Sequence, residues 1–171
     1  MSTTNIREAL ESLSRVITEQ PEKARAKNVP AIARLLEGLR CEVKGPNGET
    51  AHTDMPPAVG GAASAPAPGW LLRASLASCT ATAIAMRAAK LGVHLTALEV
   101  TVESSSDNRG MLGLDDKISA GLSPIATRVK IGASDMTADQ LRELAEWGDR
   151  HSPIACTTRS SPSYSLEVEV V

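Results

Sequence analysis

Residues 70–92, WLLRASLASCTATAIAMRAAKLG, form the longest continuous helical signal in the chain, with Gly69 before it and Gly92 closing it. Cys79 stands near the middle. Counting by threes and fours from Cys79 reaches Leu72 and Leu76 on one side and Ala83 and Met86 on the other, which puts the thiol on the apolar stripe. The many Ala, Ser and Thr residues around it let another element approach closely. The pattern predicts a central, largely buried helix.

Working back from this helix, PPAVGGAASAPAPG at 56–69 is almost entirely small residues, Pro and Gly, and reads as a loop. Before it the period is two. Leu39, Cys41 and Val43 alternate with Arg40, Glu42 and Lys44, then Gly45-Pro46-Asn47-Gly48 turns the chain into a weaker return strand from Glu49 to Asp54. Cys41 thereby reads as an inner-face core residue. At the start, Ile6, Leu10, Leu13 and Ile17 mark an amphipathic helix, and Ile32, Leu35 and Leu36 predict a second short helical stretch that Gly38 ends. Residues 1–37 are therefore expected to be a helical N-terminal extension to a domain at 38–171.

Working forward, Leu98-Val100-Val102 and Thr127-Val129-Ile131 alternate with charged and polar residues and predict two half-buried strands. The polar, glycine-bearing stretch 104–124 joins them. Thr137 and Gln140 have the spacing of a capping box, opening a helix whose inner face is Leu141, Leu144, Ala145 and Gly148. Ser152-Pro153 is a cap followed by a first-turn proline, so Cys156 is expected in or just after the first turn of a further short helix. Tyr164, Leu166, Val168 and Val170 alternate with Ser165, Glu167 and Glu169, the clearest strand pattern of all. This order of elements predicts an α+β domain, mainly antiparallel strands packed on two helices.

The composition narrows the function. Of 171 residues, 42% are hydrophobic, with no Phe, one Tyr and two Trp, so the core is aliphatic. A net charge of -2 and scattered Lys and Arg argue against a nucleic-acid partner. No apolar run approaches the ~18 residues needed to span a bilayer, and MSTTNIREALESL has no leader pattern. Three cysteines far apart in sequence are not the disulfide framework of a secreted domain, so a reducing, cytoplasmic setting is expected. There, Cys79 and Cys156 are either apolar filling or reactive thiols. A thiol peroxidase needs two, one attacking the O–O bond and one condensing with the sulfenic acid. A helix start favours a thiolate at Cys156. His52, His94 and His151 show no metal-ligand spacing, and His151 reads as a solvated helix end.

The stretch PAPGWLLRASLASCTATAIAMRAAKLGV at 66–93 resembles the central helix of the OsmC/Ohr family, with Cys79 in the place of the peroxidatic cysteine. TDMPPAVGG at 53–61 resembles the family's Pro- and Gly-Gly-containing loop. ELAEWGDRHSPIACTTR at 143–159 resembles its second helix and the segment bearing the resolving cysteine. The resemblance covers roughly residues 39–171. It implies an intertwined homodimer with two long helices enclosed by sheets from both chains. It also implies reduction of organic hydroperoxides without metal or organic cofactor, Cys79 attacking and Cys156 resolving, with a dithiol or small thiol as reductant. The family's resolving position immediately before the proline is held here by Ser152, one helical turn of about 5.4 Å from Cys156. Ala58 stands where the family carries an activating Glu, and Arg40 is the candidate for its Arg. The other reading is a non-catalytic ligand-binding or structural dimer in which Cys79 packs the interface.

Overall fold

A computed structural model of the chain describes residues 3–160 and 162–171; the first two residues of the expected extension lie outside it. Helix α1, Thr3–Glu19, turns Ile6, Leu10 and Ile17 to its half-buried side, and a 3-10 turn at Pro21–Ala24 follows. The expected second helical stretch is instead strand β1, Ile32–Glu37. Seven residues between Pro30 and Gly38 are too few for the apolar pattern to separate helix from strand. What decides is the neighbour. Gly38, at φ +57, turns the chain so that β1 pairs antiparallel with β2, Arg40–Lys44, matching Leu35 to Cys41 and Arg34 to Glu42. Residues 32–37 thus belong to the sheet rather than to a helical extension.

Strand β2 is the central one of three. It pairs antiparallel with β3, Thr50–Thr53, matching Cys41 to Thr53 and Val43 to Ala51, as the predicted hairpin requires. Cys41 is half-buried there. A 3-10 turn at Pro57–Val59 interrupts the loop, and helix α2 runs from Pro68 to Leu91. Strands β4, Leu95–Ser104, and β5, Ile125–Ala133, form a second, two-stranded sheet. The short helix α3, Asn108–Met111, lies in their connection. At the base of this hairpin Ser105 N–H donates to the Pro124 carbonyl and Ser123 N–H to the Ser105 carbonyl. Helix α4, Ala138–His151, starts on the full capping box, and α5, Pro153–Arg159, starts on Ser152.

The chain forms two compact units. One gathers the described residues up to Arg7, Leu76–Thr101 and Arg128–Val171; the other gathers Glu8–Ser75 and Val102–Thr127. In the first, the core is Ile84 and Ala88 of α2 against Leu144 of α4, flanked by Leu98, Val100, Val129 and Ile131 from the two strands. Gly148 permits this packing, since a Cβ there would lie 2.3 Å from Ile84 Cγ1 and 2.9 Å from its backbone nitrogen. In the second, Asp54 gathers the loop that follows β3, as described below.

The terminal strand expected from alternation has no strand partner among the described residues. Residues 162–171 carry no regular structure and lie exposed, Tyr164 at 87% and Val170 at 90%. Alternation supplies a strand's two faces, but its N–H and C=O groups still need an edge to pair with.

Candidate active site

Helix α2 is buried along one line rather than all round. Leu76, Thr80, Ile84 and Ala88, each four residues from the last, are buried, while Leu72 and Met86 are exposed. The stripe expected from Cys79 is therefore displaced by one position. Cys79 sits beside that line, half-buried, as a free thiol. The next residue, Thr80, is fully buried, and its hydroxyl oxygen has no hydrogen-bond partner among the described residues.

Cys156 is placed by the local rules that its sequence obeys. Ser152 is fully buried and its hydroxyl accepts the Ala155 N–H at 3.3 Å; Pro153 occupies the first helical position; Ala155 is buried. Cys156 then falls one turn into α5, exposed and free. Its own N–H is already bonded to the Ser152 carbonyl, so it lies past the unpaired amides expected to favour a thiolate. Its Sγ donates instead to the Arg150 carbonyl at 3.0 Å, near the end of α4, and only the protonated thiol makes that bond. Arg159 Nη2 lies 3.8 Å from the sulfur, and the guanidinium is held by Asp149 through its carboxylate at 2.5 Å and its carbonyl at 3.0 Å.

The contacts of Cys156 thus run to its own helix junction and not to Cys79, although both thiols belong to the first unit. Arg40, exposed on β2, and Ala58, exposed in the 3-10 turn, belong to the second. The acidic residue that organises the loop around Ala58 is Asp54, which sequence reasoning did not single out. Its Oδ1 accepts the Met55 N–H at 2.8 Å, and its Oδ2 accepts the Ala62 N–H at 3.2 Å, the Ser64 N–H at 3.0 Å and the Ser64 hydroxyl at 2.8 Å. The Ser64 backbone and side-chain donors, then those of Met55 and Ala62, hold this carboxyl below its ordinary value. Both of its oxygens are engaged by the loop. Arg159 was also missed; only its position three residues after Cys156, one turn on, could have signalled it.

Together these features define an α+β protein with a half-exposed thiol on a long helix and a second, exposed thiol on a short capped one. The OsmC-like protein family matches residues 61–167, more than half the chain, and the chain belongs to that family. Its fold is similar to that of an OsmC-like protein from Mycoplasma pneumoniae, at 17% identity and TM-score 0.67 over 80% of this chain and 91% of that one. An OsmC-like protein of unknown function from Vibrio cholerae matches at 14% identity and TM-score 0.66, over 79% and 96%. An organic hydroperoxide resistance protein OsmC from Legionella pneumophila matches at 19% identity and TM-score 0.57, over 78% and 92%. No curated protein matches the sequence. Among the described residues, no helix is long and apolar enough to cross a membrane.

Proposed function

We propose that this chain is a thiol-dependent peroxidase for organic hydroperoxides, with Cys79 as the attacking thiol and Cys156 as the resolving one. The observation that carries this reading is the free, half-exposed Cys79 on the long helix of an OsmC-like fold. The second free thiol in the same unit, and a structural neighbour named for organic hydroperoxide resistance, support it. The Cys79 thiolate displaces the alkoxide from ROOH, forming the S–O bond of a sulfenic acid and, with one proton, the alcohol ROH. The Cys156 thiol then condenses with that sulfenic acid, forming the S–S bond and releasing water. A dithiol reductant returns both thiols by two exchange steps. The protein's own part is to expose Cys79 while the Cys156 thiol rests on the Arg150 carbonyl until the disulfide forms. No organic cofactor or metal enters this scheme, and a reducing cytoplasm is its setting.

The working unit in this reading is a homodimer. The unpaired, alternating tail at 162–171 and the exposed Leu35 and Leu36 of β1 are apolar surfaces that a second copy would cover.

The test is cumene hydroperoxide consumption by the reduced protein, Cys79→Ser and Cys156→Ser, with thiol states followed by mass spectrometry. We expect wild type to turn over, Cys79→Ser to be inactive, and Cys156→Ser to stop after one equivalent with a sulfenic acid on Cys79. Equal rates for wild type and Cys79→Ser would sink the enzyme reading and leave a non-catalytic dimer of the same fold.

A further inference from the structure

The C-terminal half of α2 and the facing side of α4 enclose an open cleft of about 300 Å³ that the peroxidase chemistry does not use. Its apolar wall is Leu91, Met136 and the buried Leu144, and its charged rim is Arg87 and Arg150 with Glu143. Trp147 stands between wall and rim. The Arg87 guanidinium carbon lies 4.7 Å from the Trp147 ring centroid, and His151 stacks on the same indole at 3.9 Å and 12°. His151 is fixed in turn, its Nδ1 2.7 Å from the Trp147 carbonyl.

This ladder leaves a specific kind of donor. The guanidinium carbon of Arg87 lies over the ring, and the five N–H donors of a guanidinium fan out in its own plane. Arg87 has no ion pair among the described residues, so those N–H groups are uncommitted. Arg150 adds a second cation, and its carboxylate partner Glu146 is 3.5 Å away with both side chains exposed, a contact weak enough to yield. With Glu146 on Arg150 and Glu143 also lining the cleft, these four charges balance, and Arg87 is the guanidinium left to receive an anion, which suits a single carboxylate rather than a dianion.

We propose that this cleft binds a small organic monocarboxylate, its carboxylate on Arg87 and Arg150 and its apolar chain along Leu91 and Met136. The planar fork of Arg87 matches a carboxylate through two parallel N–H···O bonds, which an uncharged amide cannot reproduce. The inference stands on the cleft itself and is independent of the peroxidase reading.

The 171-residue chain has two tryptophans, so Trp70→Phe leaves Trp147 as its one indole and its emission as the reporter. Trp70 is exposed on the first turn of α2, and this background substitution keeps an aromatic ring there. The probe is sodium octanoate, with octanamide as the uncharged control. We expect a saturable change in Trp147 emission with octanoate, and binding weaker by roughly tenfold or more for octanamide and for Arg87→Met. Arg87→Lys should fall between, keeping the charge but losing the fork. The proposal is overturned if octanoate gives no saturable change, if octanamide binds as well as octanoate, or if Arg87→Met binds octanoate as tightly as the parent. If Arg87→Met does not fold, the octanamide and Arg87→Lys comparisons decide the matter by themselves.

Discussion

The contact between α2 and α4 and the loop from Asp54 to Pro66 each depend on a glycine that lets two parts of the chain touch. At the helix contact the partner of Gly148 is an isoleucine side chain; in the loop the partner of Gly61 is the Met55 carbonyl, where a Cβ would come within 1.9 Å of the oxygen. Around Gly148 lie Ile84, Ala88 and Leu144, so that region is held by burial and dispersion, which have no direction and do not titrate. Around Gly61 one buried carboxylate collects four hydrogen bonds, each directional and each lost if the acceptor is removed or protonated. The difference predicts two modes of failure. Volume changes should damage the helix contact at any pH, and acid should loosen the loop while leaving the helix contact intact.

The largest effect is expected from Gly148→Ala. Alanine in a helix interior gains about 1 kcal/mol of intrinsic preference over glycine. Against that, the new Cβ meets Ile84 Cγ1 and, behind it, Ile84 backbone, which no rotamer change can move aside. Overpacking of this kind costs about 1–3 kcal/mol, and with backbone involved the upper part of the range applies. Urea unfolding should therefore show a net loss of roughly 1–2 kcal/mol, equal at pH 7 and pH 5. A net gain would mean that α4 shifts freely along α2, and the helix contact would not be the rigid partner in the comparison.

Asp54→Asn should have the next largest effect, and its signature is in the pH dependence. The folded carboxyl is held below its ordinary value of 3.8 by the Ser64, Met55 and Ala62 donors. Its contribution is accordingly complete above that value and is lost as the pH falls through it towards the lower folded value. The asparagine amide turns a donor towards a donor whichever way it lies, so the variant loop is loosened already at neutral pH. Amide hydrogen exchange at Ala62 and Ser64 is the measurement. Wild type should lose protection as the pH falls below 3.8, whereas the variant should be unprotected throughout, with exchange at Ile84 unchanged at pH 7. Equal acid dependence in both would remove Asp54 as the loop's anchor.

What could be foreseen from sequence divides along the same line. The capping box at Thr137 and the Ser152-Pro153 start depend on residues within three positions of each other, and both are present in the fold. The α2 helix was legible from length alone, but its buried line was not. Counting from Cys79 gave equal weight to steps of three and four, whereas packing selected the fours through Thr80, Ile84 and Ala88. Strand β1 was misread because the deciding hydrogen bonds come from β2, across a turn. The Asp54 cluster was invisible because three of its four donor bonds come from residues eight and ten positions further along a loop without periodicity. For the cysteines, placement of Cys156 followed from its cap, but the roles of the pair came only through family resemblance.

The smallest predicted effect tests whether the helix contact relies on packing or on the stability of α4 itself. Thr137 Oγ1 accepts the Gln140 N–H at 3.3 Å, and Gln140 Oε1 accepts the Thr137 N–H at 2.8 Å. Thr137→Ala removes the first bond, leaves the second with a less ordered partner, and touches none of the core residues. The expected loss is about 1 kcal/mol by urea unfolding, independent of pH between 5 and 8 because no group in the box titrates there. If α4 is held by its contact with Ile84, exchange should increase at the amides of the first turn and stay unchanged at Leu144. Increased exchange spreading to Leu144 would instead mean that the cap sets the stability of the whole helix. The apolar contact would then depend on local hydrogen bonding as strongly as the Asp54 loop does.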